Sequence, residues 1–315
     1  MVKKIFIEIP SWLGDAIMAT PAIQNIIKTY PDAKITLLGS FVSTQAFENY
    51  ENIEKIVVDN TKKDGNRYKN LISLAKSIGK VDLAISFRRS FSSKFMMFFI
   101  KAKKKFNYKR LTKKEIHLAI RYNDFVNKVL KLNNEAGDLK LYFKPFKFDK
   151  PTFGINPGAT YGSAKRWYPQ EFAKLAISLS SKYDIVIFGG PSEIDIAKDI
   201  EDELIKNGVL NYQNLAGKTS IKELIEKIAG LNLFVTNDSG PMHVAAAYKI
   251  KTVSIFGPTK FTETNQWRND KNGLIVTKNL DCAPCMKREC PLKHHNCMKN
   301  ITASDVMSAI LKLED

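Results

Sequence analysis

An α/β protein of two Rossmann-like domains facing each other across a cleft is the fold this sequence predicts, and three observations predict it. The chain has 315 residues, too many for one compact core. Short apolar runs alternate with helical periods, the pattern of parallel strands covered by helices on both faces. That pattern lapses near 143–153, in a segment rich in Pro, Phe and Lys, and then restarts.

Each element follows from its own residues. "KKIFIEI" is a short apolar strand, "PSWLGD" a turn, and "AIMATPAIQNIIKTY" a helical stretch interrupted by Pro21. "AKITLLGS", "IEKIVVDN" and "KVDLAISF" continue the strand series. The first domain is expected over 1–147, ending inside "FKPFKFDKPTFG". Beyond it, "TFGINPG" is a strand into a turn, "PQEFAKLAISLSSKY" a helix, and "DIVIFGGP" a strand into a Gly-Gly-Pro turn. "EIDIAKDIEDELIKNG" is a helix closed by glycine, "SIKELIEKIAGL" another, and "NLFVTND" and "TVSIFGP" are strands. Residues 148–300 thus form the second domain. The amphipathic "TASDVMSAILKL", within 301–315, is expected to pack back toward the first. Ligands of parallel sheets sit beyond the carboxyl ends of the strands, where the loops 11–15, 157–167, 189–193 and 237–243 all fall.

Composition narrows the function. Hydrophobic residues at 44% and charged residues at 26% suit a soluble globular protein. "MVKKIFIEIP" begins like a signal peptide, but Glu8 and Pro10 cut its apolar run short. The longest apolar run, "FMMFFI", is far below the ~20 residues of a membrane span. All four cysteines lie between 282 and 297, unlike the spread of a disulfide-stapled secreted domain, so the cytoplasm is expected. The net charge of +17 favours polyanionic partners: nucleic acid, anionic lipid or a phosphorylated glycan. From Leu83 to Lys114 there is no Asp or Glu, and basic residues interleave with phenylalanines. That stretch is either a core helix with a lysine-rich solvated face or a functional basic surface, membrane-facing or nucleic-acid-binding.

Four loops carry chemistry. In "NDSGPMHVAAA" Asp238 or Ser239 can cap a helix, Gly240 admits a ligand to the backbone, and Pro241 suits the first turn. Such a helix end seats an anion, to which His243 would present its imidazole; the plain alternative is a capped helix with an incidental histidine. "NPGATYGSAKRWYP" is a Gly/Ser turn in which Lys165 neutralises a diphosphate, or else an exposed loop anchored by Trp167. "PSWLGDAIMATP" puts Asp15 in a first helical turn, as a dipole-complementing acid or as a general base. The two roles pull apart, because the dipole favours the ionised carboxylate while a base must hold a proton well. "CAPCMKRECPLKHHNC" has the C-x2-C-x4-C-x6-C arithmetic of a zinc knot in Cys282, Cys285, Cys290 and Cys297, or packs as reduced thiols. G-x-G-x-x-G and Walker A patterns are absent, which argues against ordinary dinucleotide enzymes and P-loop ATPases.

The segments "GDAIMATPA", "INPGATYGSAKRWYP", "FGGPSE", "NLAGKTSIKELIEKIAG", "VTNDSGPMHVAAA" and "VSIFGPT", in this order, resemble the ADP-heptose:lipopolysaccharide heptosyltransferases, glycosyltransferase family 9. The Cys-Pro-His cluster is most similar to the heptosyltransferase II branch. The resemblance implies a GT-B fold with an N-terminal acceptor domain and a C-terminal nucleotide-sugar domain. It implies inverting transfer of L-glycero-D-manno-heptose from ADP-heptose to the phosphorylated inner core of lipopolysaccharide, at the cytoplasmic face of the inner membrane. By similarity Asp15 is the base and Lys165, with Thr160 nearby, contacts the diphosphate. Asp238, Ser239, Gly240 and His243 line the donor pocket, and Glu193 reaches the ribose or adenine. Arg88, Arg89 and Arg110 are expected at the acceptor, and the anionic membrane surface is an expected partner. No cofactor or metal is expected, related enzymes carrying the cysteine cluster without a catalytic metal, and no nucleic acid. The alternatives are heptosyltransferase I or III, another GT-B enzyme with a different acceptor, or a non-catalytic basic protein binding glycan or nucleic acid.

Overall fold

The computed structural model describes residues 2–63 and 65–314. It divides into two compact units, Met1–Tyr142 and Phe143–Asp315.

Unit 1 is a parallel sheet in the order β3-β2-β1-β4-β5. β1 (Lys4–Glu8) lies at its centre, buried from Ile5 onward and paired on both sides, with Ile5 opposite Ile35 and Leu83. Pro21 acts as expected, since a first-turn proline starts a helix rather than continuing one. Thr20 Oγ1 closes α1 (Leu13–Met18) by donating to Ile17 O at 2.7 Å, and α2 (Thr20–Thr29) begins anew. β2 (Lys34–Gly39) runs into α3 (Phe41–Gln45), whose entry is a Ser40/Ser43 capping box. β3 (Ile53–Val58) is one edge of the sheet, and α4 (Arg67–Ile78) follows, capped by the Asn66 side chain. β4 (Lys80–Ser86), α5 (Phe91–Phe99), β5 (Lys101–Asn107) and α6 (Leu118–Leu130) complete the unit.

The basic-aromatic stretch is therefore neither one helix nor one loop. It breaks at Ile100 into a helix and the second edge strand, "KAKKKFN". An edge strand needs a backbone partner on one side only, and lysines there guard the open side.

Unit 2 is a six-stranded parallel sheet in the order β11-β10-β9-β6-β7-β8. Its strands are β6 (Thr152–Asn156), β7 (Asp184–Ile187), β8 (Tyr212–Asn214), β9 (Leu233–Asn237), β10 (Lys251–Phe256) and β11 (Gly273–Thr277). The two central strands, β6 and β9, are buried along their whole length, as doubly covered strands must be. α7 (Pro169–Leu179), α8 (Ile194–Lys206), α9 (Ile221–Ala229), α10 (Gly240–Ala247) and the short α11 (Phe261–Thr264) and α12 (Asn296–Lys299) connect them. Gly208, at a φ of 71°, takes the left-handed conformation just beyond α8, the glycine stop the sequence predicted.

Two boundaries need correction. The second unit begins at Phe143 rather than at 148. Phe143 N donates to Tyr248 Oη at 3.0 Å, and the same hydroxyl donates to Phe143 O at 2.9 Å. Phe146 N then bonds Glu226 O, and Lys227 lies 3.9 Å over the Phe146 ring. These bonds sew 143–148 to α9 and α10. The second correction concerns α13 (Ala303–Glu314), which was expected to pack toward the first domain. Val306, Ala309, Ile310 and Leu313 bury in the core of unit 2, and Glu314 accepts from Lys182 Nζ and Tyr183 Oη at 2.7 and 2.5 Å. The helix closes the unit that contains it.

Candidate active site

β6 ends at Asn156, β9 at Asn237 and β10 at Phe256, all on one rim of unit 2. The two asparagines lace the loops that follow. Asn237 Nδ2 donates to Pro157 O (2.7 Å), and its Oδ1 accepts from Trp167 N (3.1 Å). Asn156 Nδ2 donates to Gly158 O (3.2 Å) and Ser239 Oγ (3.4 Å). Trp167 is a packed anchor: it is 1% exposed, its ring lies 4.8 Å from Phe172, and its Nε1 donates to Ile301 O at 2.9 Å.

Held this way, the tight turn Ser163–Lys165 brings Lys165 Nζ to 2.6 Å from Asp238 Oδ2. Thr259 Oγ1 donates to the same oxygen at 2.6 Å, and the Tyr161 ring centre lies 4.8 Å from the ammonium. Asp238, 4% exposed, thus orients Lys165 instead of capping α10. The cap position is Ser239, whose side chain makes no cap bond and lies 3.3 Å from Thr236 Oγ1. Ser239, Gly240 and Pro241 are half-buried, so the first turn of α10 meets the rim without a side-chain cap. A helix end of this kind, with a lysine beside it, fits a diphosphate. His243 stands behind it, 3% exposed between the buried Met242 and Val244. Thr160 is exposed on the neighbouring loop.

Glu193, 5% exposed, accepts from Gly190 N at 2.8 Å. Its carboxyl lies so near the α-carbon of Gly158 that a Cβ built there would overlap it. Only glycine fits at 158 with the acid in place.

The rim of unit 1 holds the other expected residues. Asp15 is half-buried in the first turn of α1. It lies within electrostatic reach of the buried Tyr122, whose phenol burial, and then this carboxylate, hold well above the ordinary range. The Tyr122 ring meets Phe87 at 5.4 Å and Tyr108 at 5.2 Å. Burial pushes the Tyr108 phenol up, Asp124 adds to the rise, and the charges of Arg121, Arg89 and Arg110 oppose it. Arginines that follow β4, follow β5 and lie in α6 thus act electrostatically on the Tyr108 phenol. Arg110 also bonds its own loop, Nε donating to Thr112 O at 2.8 Å. Arg88, expected beside them, is engaged by two carboxyl groups. Its Nη1 lies 3.2 Å from Glu8 Oε1 and 3.5 Å from Asp59 Oδ2, so two carboxylates already match its charge.

Residues 84–296 match glycosyltransferase family 9 (heptosyltransferase). Over 313 residues the chain is 44% identical to lipooligosaccharide heptosyltransferase 2 of Campylobacter jejuni, covering 96% of each. The chain belongs to glycosyltransferase family 9. The fold of this glycosyltransferase matches Escherichia coli ADP-heptose LPS heptosyltransferase II, with a TM-score of 0.80 at 22% identity over 99% of this chain and 100% of that one. It also matches E. coli heptosyltransferase WaaC with ADP-2-deoxy-2-fluoro heptose, TM-score 0.77 at 17% identity over 98% and 99% of the chains. Two parallel-sheet α/β domains of the GT-B class are the fold the motifs implied.

In this glycosyltransferase the cysteine segment is a buttress. Ala164 N donates to Arg288 O at 3.0 Å, Tyr161 Oη to Met286 O at 3.1 Å, and His295 Nε2 lies 2.9 Å from Ala164 O. The turn bearing Lys165 thus leans on residues 286–295. All four cysteines are free and line one small cavity with His294 and His295. Among the described residues no group of three His, Cys, Asp or Glu side chains is placed to hold a metal ion. Burial, then the three neighbouring thiols, pushes the Cys297 thiol up to about 11. At pH 8 it is neutral, and Cys297 is expected to resist maleimide that labels Cys282, Cys285 and Cys290, as peptide mass spectrometry would resolve. Labelling of Cys297 first would contradict that placement.

Sequence reasoning missed Thr259, Arg288, Arg121 and the Tyr108–Tyr122 pair. Thr259 stood inside the quoted "VSIFGPT", and "NYKR" directly after a basic run was a signal for a strand end. Arg121 carried no local signal.

Proposed function

We propose that this glycosyltransferase is a heptosyltransferase of type II, moving L-glycero-D-manno-heptose from ADP-heptose to the first heptose of the lipopolysaccharide inner core with inversion. The observation that carries the reading is the pairing of Lys165, fixed by Asp238 and Thr259, with the uncapped first turn of α10. Negative charge grows on the diphosphate as the sugar–phosphate bond breaks, and donors already fixed in place stabilise it without reorganising. Asp15 takes the proton of the attacking acceptor hydroxyl. Glu193 faces the nucleoside end of the donor. The relatives named as heptosyltransferase 2 and the E. coli enzyme with the ADP-2-deoxy-2-fluoro sugar support the donor and the linkage.

The acceptor is an acidic, lipid-linked saccharide at the cytoplasmic face of the inner membrane. Arg89, Arg110 and Arg121 seat its acidic groups; Arg88 keeps its internal carboxylates. Arg89→Ala and Arg121→Ala are each expected to raise the acceptor KM about tenfold with kcat little changed, since each removes a hydrogen bond to a charged group. Steady-state kinetics with varied acceptor reads this, and a fall in kcat at constant KM would contradict it.

The decisive assay is incubation with ADP-heptose and defined acceptors lacking the first, second or third heptose. ADP release with the singly heptosylated acceptor alone is expected, and release with no acceptor would overturn the reading. Because Lys165 and backbone amides are assigned the neutralising role, the same assay in EDTA is expected to lose no rate.

A further inference from the structure

A helix packed on a sheet turns its apolar stripe inward. α5 does so with Met96 and Met97, which bury among Leu71 and Ala75 of α4. It also carries a second apolar stripe on the outside. Phe91, Phe95 and Phe98 recur at helical spacing, and Phe91 is 70% and Phe98 76% exposed. Tyr68, exposed at the start of α4, joins them with ring centres 6.4 Å from Phe91 and 5.1 Å from Phe95. Phe99 bridges Phe95 and Phe98 at 5.1 and 5.2 Å, so the rings form one continuous patch.

Cations border the patch. Lys94 is exposed on the stripe itself. Lys105 Nζ donates to Phe98 O at 2.8 Å, tying the edge strand β5 to the end of the helix, and Lys101 and Lys104 on that strand are exposed. Nothing between residues 83 and 114 is acidic, and the nearby Asp82 is engaged by Lys103 at 2.7 Å. Guarding an edge strand accounts for the lysines alone. It does not account for phenyl rings held in water beside them, since contiguous exposed apolar surface marks an interaction site.

We propose that this face, Tyr68, Phe91 and Phe98 with Lys94 and the lysines of β5, docks the protein on an anionic lipid bilayer. The rings enter the headgroup boundary while the ammonium groups meet lipid phosphates, the division of labour of interfacial helices. A nucleic-acid duplex would use the cations but, with its bases stacked inside, would leave the rings without partners; a single strand is tested below, and a second copy would bring lysines against lysines. The inference deepens the reading of the acceptor as lipid-linked, and its test needs neither donor nor acceptor.

The test is flotation of the full chain with phosphatidylcholine vesicles and with vesicles also containing phosphatidylglycerol. Binding to the anionic vesicles alone is expected. The pairs Phe91→Ser/Phe98→Ser and Lys94→Glu/Lys104→Glu are each expected to weaken it by at least about tenfold. These side chains are exposed, so unchanged melting temperatures are expected and would certify the fold. Failure of the parent protein to float, or equal flotation of all three proteins, would overturn the proposal. So would loss of a dimer in sedimentation velocity on Phe91→Ser/Phe98→Ser, which would make the face self-associating, or displacement of the protein from vesicles by single-stranded DNA with no effect of the phenylalanine pair. A protein inactive on every acceptor yet floating through this face would sink the transferase reading and leave this one standing.

Discussion

Replacing Asp15 by asparagine is expected to lower kcat by about 10²–10⁴-fold while leaving ADP-heptose affinity unchanged. Asparagine keeps the shape and much of the hydrogen bonding of the side chain, but it cannot accept a proton at neutral pH. Donor affinity should hold because the proposed diphosphate seat lies at the ends of β6, β9 and β10 in the other unit. The competing account makes Asp15 only a first-turn acid complementing the α1 dipole, worth about 0.3–1 kcal/mol of stability and nothing in rate. Calorimetric titration with ADP-heptose, single-turnover kinetics and a thermal melt separate the two. Full turnover with a lowered melting point would leave Asp15 as a structural acid.

Lys165→Met carries the second large effect, on stability and turnover together. Its partner Asp238 is 4% exposed, and stripping one member from a buried pair leaves an uncompensated charge costing about 3–5 kcal/mol. Removing a fixed donor from a developing anion costs about 10²–10³ in kcat on top of that. A double substitution disentangles the terms. In Lys165→Met/Asp238→Asn the stranded carboxylate is gone, while the amide oxygen still accepts from Thr259, so denaturant midpoints should recover most of the loss. Turnover should not recover. Recovery of rate along with stability would show that Lys165 serves the fold and not the leaving group.

How far the sequence reached differs between elements. The central strands were legible because parallel strands buried on both faces are predominantly apolar, as the Phe-Gly-Ile of "TFGIN" and the Leu-Phe-Val of "LFVTN" are. β5 was not, because "KAKKKFN" lies at an edge and no facing sheet imposes an apolar pattern on it. α13 was legible as a helix but not by destination, since an amphipathic stripe says that a surface is covered and not which one. At the site, the Gly-, Asn- and Pro-rich turns announced themselves through special backbone demands. Lys165 and Asp238 were each singled out, yet their partnership spans 73 positions and follows only from sheet order. The electrostatic influence of Arg89, Arg110 and Arg121 on Tyr108 comes from three separate segments and had no local signature.

The bare α-carbon of Gly158 under the Glu193 carboxyl ties the histories of two loops together. Any side chain appearing at 158 evicts the acid, and a shortened acid at 193 opens a void that a methyl group at 158 fills. Drift at either position is admissible only in step with the other, so the pair should travel through descendants as a single inherited unit.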